Sequence, residues 1–147
     1  MMCKIGDIIV VKKYIGDDGQ TIDKQHSFVV IDDTPDMVEG ISYDLVANVM
    51  SSFKNEEHKN RKLSHKENLE VVSDSIISKT KNSRDGYIKA DQLFYFDKSK
   101  LDYYVFAQIT PELLDELIRL IVELRIENKI KMNIKNIENV KDTTPVC

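Results

Sequence analysis

Leu45-Val46-Ala47-Asn48-Val49-Met50-Ser51-Ser52-Phe53-Lys54 is an apolar run that ends in two hydroxyls and a cation. Its length and its β-branched residues predict a strand, and the polar close puts Ser51 and Ser52 at the strand's end. Serine hydroxyls and a lysine ammonium donate hydrogen bonds without bringing negative charge, so together they suit a phosphate oxyanion. The stretch therefore predicts both a sheet and half of a nuclease site delivered at its edge.

Upstream, residues 5–13 read as a strand whose first half is apolar without interruption, which predicts burial on both faces near its start. Gly16-Asp17-Asp18-Gly19 is a dense turn signal, and Ser27-Phe28-Val29-Val30-Ile31 follows as a second strand. The two should form a hairpin with a long tip. Asp32-Asp33-Thr34-Pro35-Asp36 then breaks the chain before a third strand at residues 43–50.

Downstream, residues 69–72 and 75–78 fit either short strands or one frayed helix. Asn82-Ser83-Arg84-Asp85-Gly86 marks a turn before the aromatic and β-branched residues 87–96, a character that Tyr103-Tyr104-Val105-Phe106-Ala107-Gln108-Ile109 repeats. Thr110-Pro111-Glu112 announces a helix, with a capping hydroxyl, a proline at the first helical position and an acid in the first turn. Leu113, Leu114, Leu117, Ile118, Ile121 and Leu124 recur at helical spacing and predict a face packed on the sheet. Residues 129–147 are rich in Lys and Asn and fit a second helix or a loose arm.

With 147 residues the chain fits one domain over 1–147. A chain near that length buries roughly 70% of its unfolded surface, enough for a core without staples. Hydrophobic residues at 41% and charged residues at 31% exclude disordered and fibrous classes. Ile8-Ile9-Val10-Val11 is too short for a signal peptide or a spanning helix, so a cytoplasmic protein with no membrane partner is expected. Cys3 and Cys147 lie at opposite ends without metal-type spacing, which reads as free thiols.

The net charge of −4 argues against a protein that coats nucleic acid non-specifically, but the charge is unevenly placed. Over residues 54–66, Lys54, Lys59, Arg61, Lys62 and Lys66 stand against Glu56 and Glu57, a surplus of three positives. Such runs are usually solvated loops. Adjacency to Ser51-Ser52 favours a polyanion ligand instead.

Lys4-Ile5-Gly6-Asp7-Ile8-Ile9, the glycine turn, His26-Ser27-Phe28-Val29-Val30-Ile31, the strand ending in Ser51-Ser52, and Gly86-Tyr87-Ile88-Lys89-Ala90-Asp91-Gln92-Leu93 leading to the Pro111 helix resemble the toxins of the MazF, PemK and Kid type. Ser51-Ser52-Phe53-Lys54 is similar to the Thr-Ser-x-Lys stretch of ToxN toxins, and points to the CptN type of type III toxin-antitoxin systems. The resemblance implies an α+β fold: a small, strongly bent antiparallel sheet or open barrel with packed helices. It implies a metal-independent endoribonuclease with no cofactor, in which the ribose 2′-hydroxyl attacks the adjacent phosphate and leaves a 2′,3′-cyclic phosphate. The implied partners are a cellular RNA substrate and a repeat-derived pseudoknot RNA antitoxin, held in a hetero-oligomeric protein–RNA assembly. Two alternatives stay open: a homodimeric type II interferase silenced by a protein antitoxin, and a non-catalytic RNA-binding or protein-binding module.

Carried onto this chain, the resemblance assigns catalysis to His26, Ser51, Ser52 and Lys54. His26 stands where relatives of this type have an arginine or lysine, and an imidazole titrating near neutrality can serve as general acid or base. Ser51 and Ser52 would hold the scissile phosphate, and Lys54 would neutralise the transition-state charge. Lys24 is a secondary candidate that would share His26's face if the strand extends that far. Phe53 and Tyr14 offer rings for base stacking, although burial is the commoner fate of an aromatic. Seven residues apart, His58 and His65 would share a helix face; with Lys59, Arg61, Lys62 and Lys66 they are read as RNA contacts, and no metal-ligand spacing is present.

Overall fold

The computed structural model describes residues 3–15, 20–22, 24–34, 43–77 and 85–134. The expected turn at 16–19, the Pro35-Asp36 break, turn residues 82–84 and the tail beyond 134 lie outside the described residues. Strands β1 (Asp7–Val11), β2 (Tyr14–Ile15), β3 (Thr21–Ile22), β4 (His26–Asp32) and β5 (Leu45–Ser52) come first. Helix α1 (Glu56–Leu63), β6 (Asn68–Val71), β7 (Ile76–Ile77), β8 (Gly86–Phe96), β9 (Tyr103–Ile109), α2 (Pro111–Ile126) and β10 (Lys131–Asn133) follow.

Eight strands form one sheet in the order β10-β8-β5-β4-β1-β9-β7, with β6 also on β8, and the sheet curls into a half-barrel. All its pairings are antiparallel except that of β10 with β8. This is the expected α+β fold. The first hairpin is also as expected: β1 pairs with β4 from Ile8↔Val29 to Val11↔His26, and β2 with β3 extends it as a separate ribbon.

Every residue of β1 is buried, because the sheet carries a core on each face. Ile9 and Val11 join Phe28, Val30, Phe94 and Phe96 in one cluster. Ile8 and Val29 join the other, against Leu113, Leu117, Ile121 and Leu124 of α2. Thr110 caps that helix, accepting the Leu113 N–H at 3.3 Å. The apolar stripe is narrower than its sequence pattern, since Ile118 remains exposed.

The sheet bends where β5 meets β8. Asn48 faces Leu93 and Met50 faces Ile88, so Lys89, Ala90, Asp91 and Gln92 of β8 all lie opposite Val49. Buried Asn48 spans this bulge, its Nδ2 donating to the carbonyls of Lys89 at 3.0 Å and Gln92 at 2.9 Å. Beyond the bend the outer edge of β8 changes partner, from β6 at Gly86–Lys89 to β10 at Gln92–Phe94.

Three segments take definite form. Residues 56–63 of the basic run are helix rather than loop, because Asn55 caps them, accepting the His58 N–H at 2.7 Å, with Glu56 and Glu57 in the first turn and Arg61 and Lys62 in the last. Residues 131–133 form a parallel edge strand in place of a helix or arm, held by Asn133 Nδ2 donating to the Leu93 carbonyl at 3.3 Å. Of the two readings open for residues 69–72 and 75–77, the strand is the one that forms: they contribute strands at opposite edges of the sheet, β6 on β8 and β7 on β9.

Candidate active site

β4 begins at His26 and β5 ends at Ser52, and their neighbouring ends open onto one cleft. The cleft holds about 410 Å³ and is lined by Gln25, His26, Ser27, Ser51, Ser52 and Gly86 on its polar side and by Ile8, Met50, Ile76 and Phe106 on its apolar side. Three of the four residues assigned to catalysis from sequence therefore share one cavity, of a size that accepts a nucleotide-scale ligand.

His26 is half-buried and oriented from two directions. Its Nδ1 lies 3.1 Å from the Lys24 carbonyl, and the Tyr14 ring meets it edge-on at 5.5 Å. A carbonyl only accepts, so Nδ1 carries the proton in that bond and the neutral ring keeps its lone pair on Nε2. The imidazole is thereby held in the tautomer of a base.

Ser51 and Ser52 are held by pairing with β8, as Ser51↔Tyr87 and Ser52↔Gly86. Glycine at 86 is required by space. A Cβ there would collide with the Ser51 carbonyl oxygen and lie 3.2 Å from its carbon.

Lys54 is exposed and does not line the cleft, although it follows Ser52 by two residues. Its backbone N–H donates to His58 Nδ1 at 3.1 Å. Phe53, between them, is stacked on Tyr87 at 5.2 Å, with the Lys59 ammonium 5.8 Å from its ring centre. These contacts fasten α1 to the end of β5.

The remaining sequence candidates are dispersed. Lys24 is exposed and precedes β4, so it does not continue the His26 strand; its carbonyl is what engages the imidazole. His58 is buried at 8% exposure, packed near Phe53 and Tyr87, and is a part of the α1 scaffold rather than a surface contact. Desolvation, then the charges of Arg61, Lys62 and Lys54, hold its pKa below the usual histidine value. His65 lies beyond the end of α1, near Glu67 at 3.7 Å, and shares no helix face with His58. Lys59 is committed to Glu70 at 3.3 Å, which raises its pKa. Lys66 is clasped by Glu123 and Glu127 of α2, and its pKa is raised too. Arg61 and Lys62 form no ion pair among the described residues. Tyr14 is buried against Phe28 and Phe94.

Sequence reading missed Gln25, Ser27, Ile76 and Phe106. Gln25 and Ser27 flank His26 and were legible from it, whereas Ile76 reaches the cleft through the pairing of β7 with β9 and Phe106 through that of β1 with β9. Among the described residues no group of three His, Cys, Asp or Glu side chains is placed to hold a metal, and no helix is long and apolar enough to cross a membrane. No protein-family model and no curated protein sequence matches the chain.

Proposed function

We propose that the protein is an endoribonuclease acting without a metal ion. The observation that supports it most is the meeting of His26, held with its Nε2 lone pair free, and of Ser51 and Ser52 at one cleft. His26 Nε2 removes the proton of a ribose 2′-hydroxyl. The resulting oxygen attacks the adjacent phosphorus, the bond from phosphorus to the 5′-oxygen breaks, and that oxygen takes up a proton from solvent. Ser51 and Ser52 donate to the phosphoryl oxygens. The products are a 2′,3′-cyclic phosphate and a 5′-hydroxyl.

The pattern around Ser51-Ser52-Phe53-Lys54 further supports a toxin of a type III toxin-antitoxin system, working in the cytoplasm and neutralised by a bound RNA pseudoknot that it cuts from its own repeat precursor. Purified protein incubated with a random-sequence RNA pool should produce fragments ending in cyclic phosphate. RNA should copurify from cells carrying the native locus. Intact RNA after incubation refutes the enzyme; a copurifying protein in place of RNA refutes the type III assignment.

A further inference from the structure

The pairing of β1 with β9 slips by one residue at the cleft. Ile8 faces Ala107 and Ile9 faces Val105, which leaves Phe106 as the extra residue of a β-bulge. A bulge re-aims the side chain it carries, and bulges concentrate beside active sites for that reason. Here the re-aimed ring lines the cleft that holds His26, Ser51 and Ser52. Phe106 is 37% exposed, belongs to neither main core cluster, and has no ring partner among the described residues. Tyr14 and Phe53, in contrast, are occupied by Phe28 and by Tyr87.

A large aromatic left facing solvent in the cleft that also holds His26, Ser51 and Ser52 suits a ligand with a flat apolar face next to an anion. Nucleotides have that form, and base–aromatic stacking is tolerant of base identity because every base presents a π-face. We infer that Phe106 is the platform on which the base flanking the scissile phosphate stacks, with Ile76 and Ile8 completing the apolar wall. The inference rests on the ribonuclease reading and adds to it the residue that seats the substrate base. Substrate is thus gripped from two strands, the phosphate from β5 and the base from β9.

Phe106→Leu keeps apolar bulk and removes the ring face, while Phe106→Trp restores a face. Affinities are measured by fluorescence anisotropy with two probes: a random-sequence 2′-O-methyl RNA 12-mer, which cannot be cleaved, and a tetrahydrofuran-phosphate 12-mer, which has a backbone and no bases. Phe106→Leu should bind the base-bearing probe roughly 5- to 150-fold more weakly than wild type, the equivalent of about 1–3 kcal/mol for one stacked base. Phe106→Trp should stay near wild type, and all three proteins should bind the base-free probe alike. Equal affinity of wild type and Phe106→Leu for the base-bearing probe overturns the inference and leaves the ribonuclease reading standing. Equal weakening on both probes overturns it as well, since the ring would then act on the fold or the backbone. A wild-type protein that binds neither probe overturns both.

Discussion

The Lys54 backbone N–H is bonded to the Nδ1 of His58, a residue of α1, at 3.1 Å. Because that nitrogen must be unprotonated to accept, the hold of α1 on the end of β5 depends on a neutral imidazole. Burial first, then the charges of Arg61, Lys62 and Lys54, lower its pKa, and the rings of Phe53 and Tyr87 lie alongside.

This relationship gives stability a pH dependence of known sign. The unfolded histidine titrates at its ordinary value of 6.5 and the folded one below it, so the unfolded chain binds more protons in between. The stabilisation is fully present above 6.5 and is lost as pH falls through the folded value. His58→Asn retains an acceptor near the Nδ1 position and does not titrate. Melting temperatures measured from about pH 8 to pH 5 should converge or cross as the wild type loses its advantage. Parallel curves for the two proteins would remove His58 from the account.

Ser52→Ala should lower RNA cleavage by roughly 10²- to 10³-fold, the usual effect of removing one donor to a developing charge. Its side chain is exposed, so circular dichroism should be unchanged. A wild-type rate in this variant would show that the phosphate is held elsewhere.

At Gly86 the expectation is a backbone effect on the same serines. Gly86→Ala places a methyl against the Ser51 carbonyl, and the Ser51–Ser52 segment must shift to admit it. Overpacking of this kind costs about 1–3 kcal/mol. Urea denaturation should show the loss and cleavage should fall with it; an alanine variant as stable and as active as wild type would contradict the close approach.

Cleavage should persist in excess EDTA and leave cyclic phosphate ends. The cleft's donors are hydroxyls, an amide and an imidazole, without the carboxylates that magnesium requires. Full inhibition by chelator, reversed by added magnesium, would rule out the proposed chemistry.

RNA binding should respond to Arg61 and Lys62 together. Lys59 and Lys66 are already engaged by acids, which leaves these two as the cations α1 can present to phosphate. Arg61→Ala/Lys62→Ala should weaken binding and reduce the slope of log affinity against log salt by roughly 1.4–1.8, about 0.7–0.9 for each phosphate contact. An unchanged slope would mean that the helix faces only solvent.

Strands whose apolar pattern arises from a local two-sided core were legible in the sequence, β1 and β4 most clearly. The Thr110 cap and Pro111 made α2 equally plain. Helix α1 was hidden because its composition is almost wholly polar, but Asn55-Glu56-Glu57 ahead of Arg61-Lys62 carried the signal in its ends rather than in its periodicity. Half of the cleft was legible because His26 and the serines stand at strand termini. The other half was not: Gly86 matters through a contact with Ser51, and Phe106 through a slip in register. Neither can be read from nearest neighbours along the chain. Charge counting misled for a similar reason, since Lys66 spends its charge on Glu123 and Glu127, acids distant in sequence.

The β1–β9 pairing also governs when the cleft comes into being. Ile8 and Ala107 are partners in the sheet although most of the described chain separates them, and among the described strands β7 pairs with β9 alone. During synthesis His26, Ser51 and Ser52 emerge early, but the wall opposite them waits for residues 103–109. Pairings of such long range slow folding towards roughly the millisecond-to-second regime. A nascent chain thus passes through a period in which the chemical groups exist without the cavity that gives them a substrate.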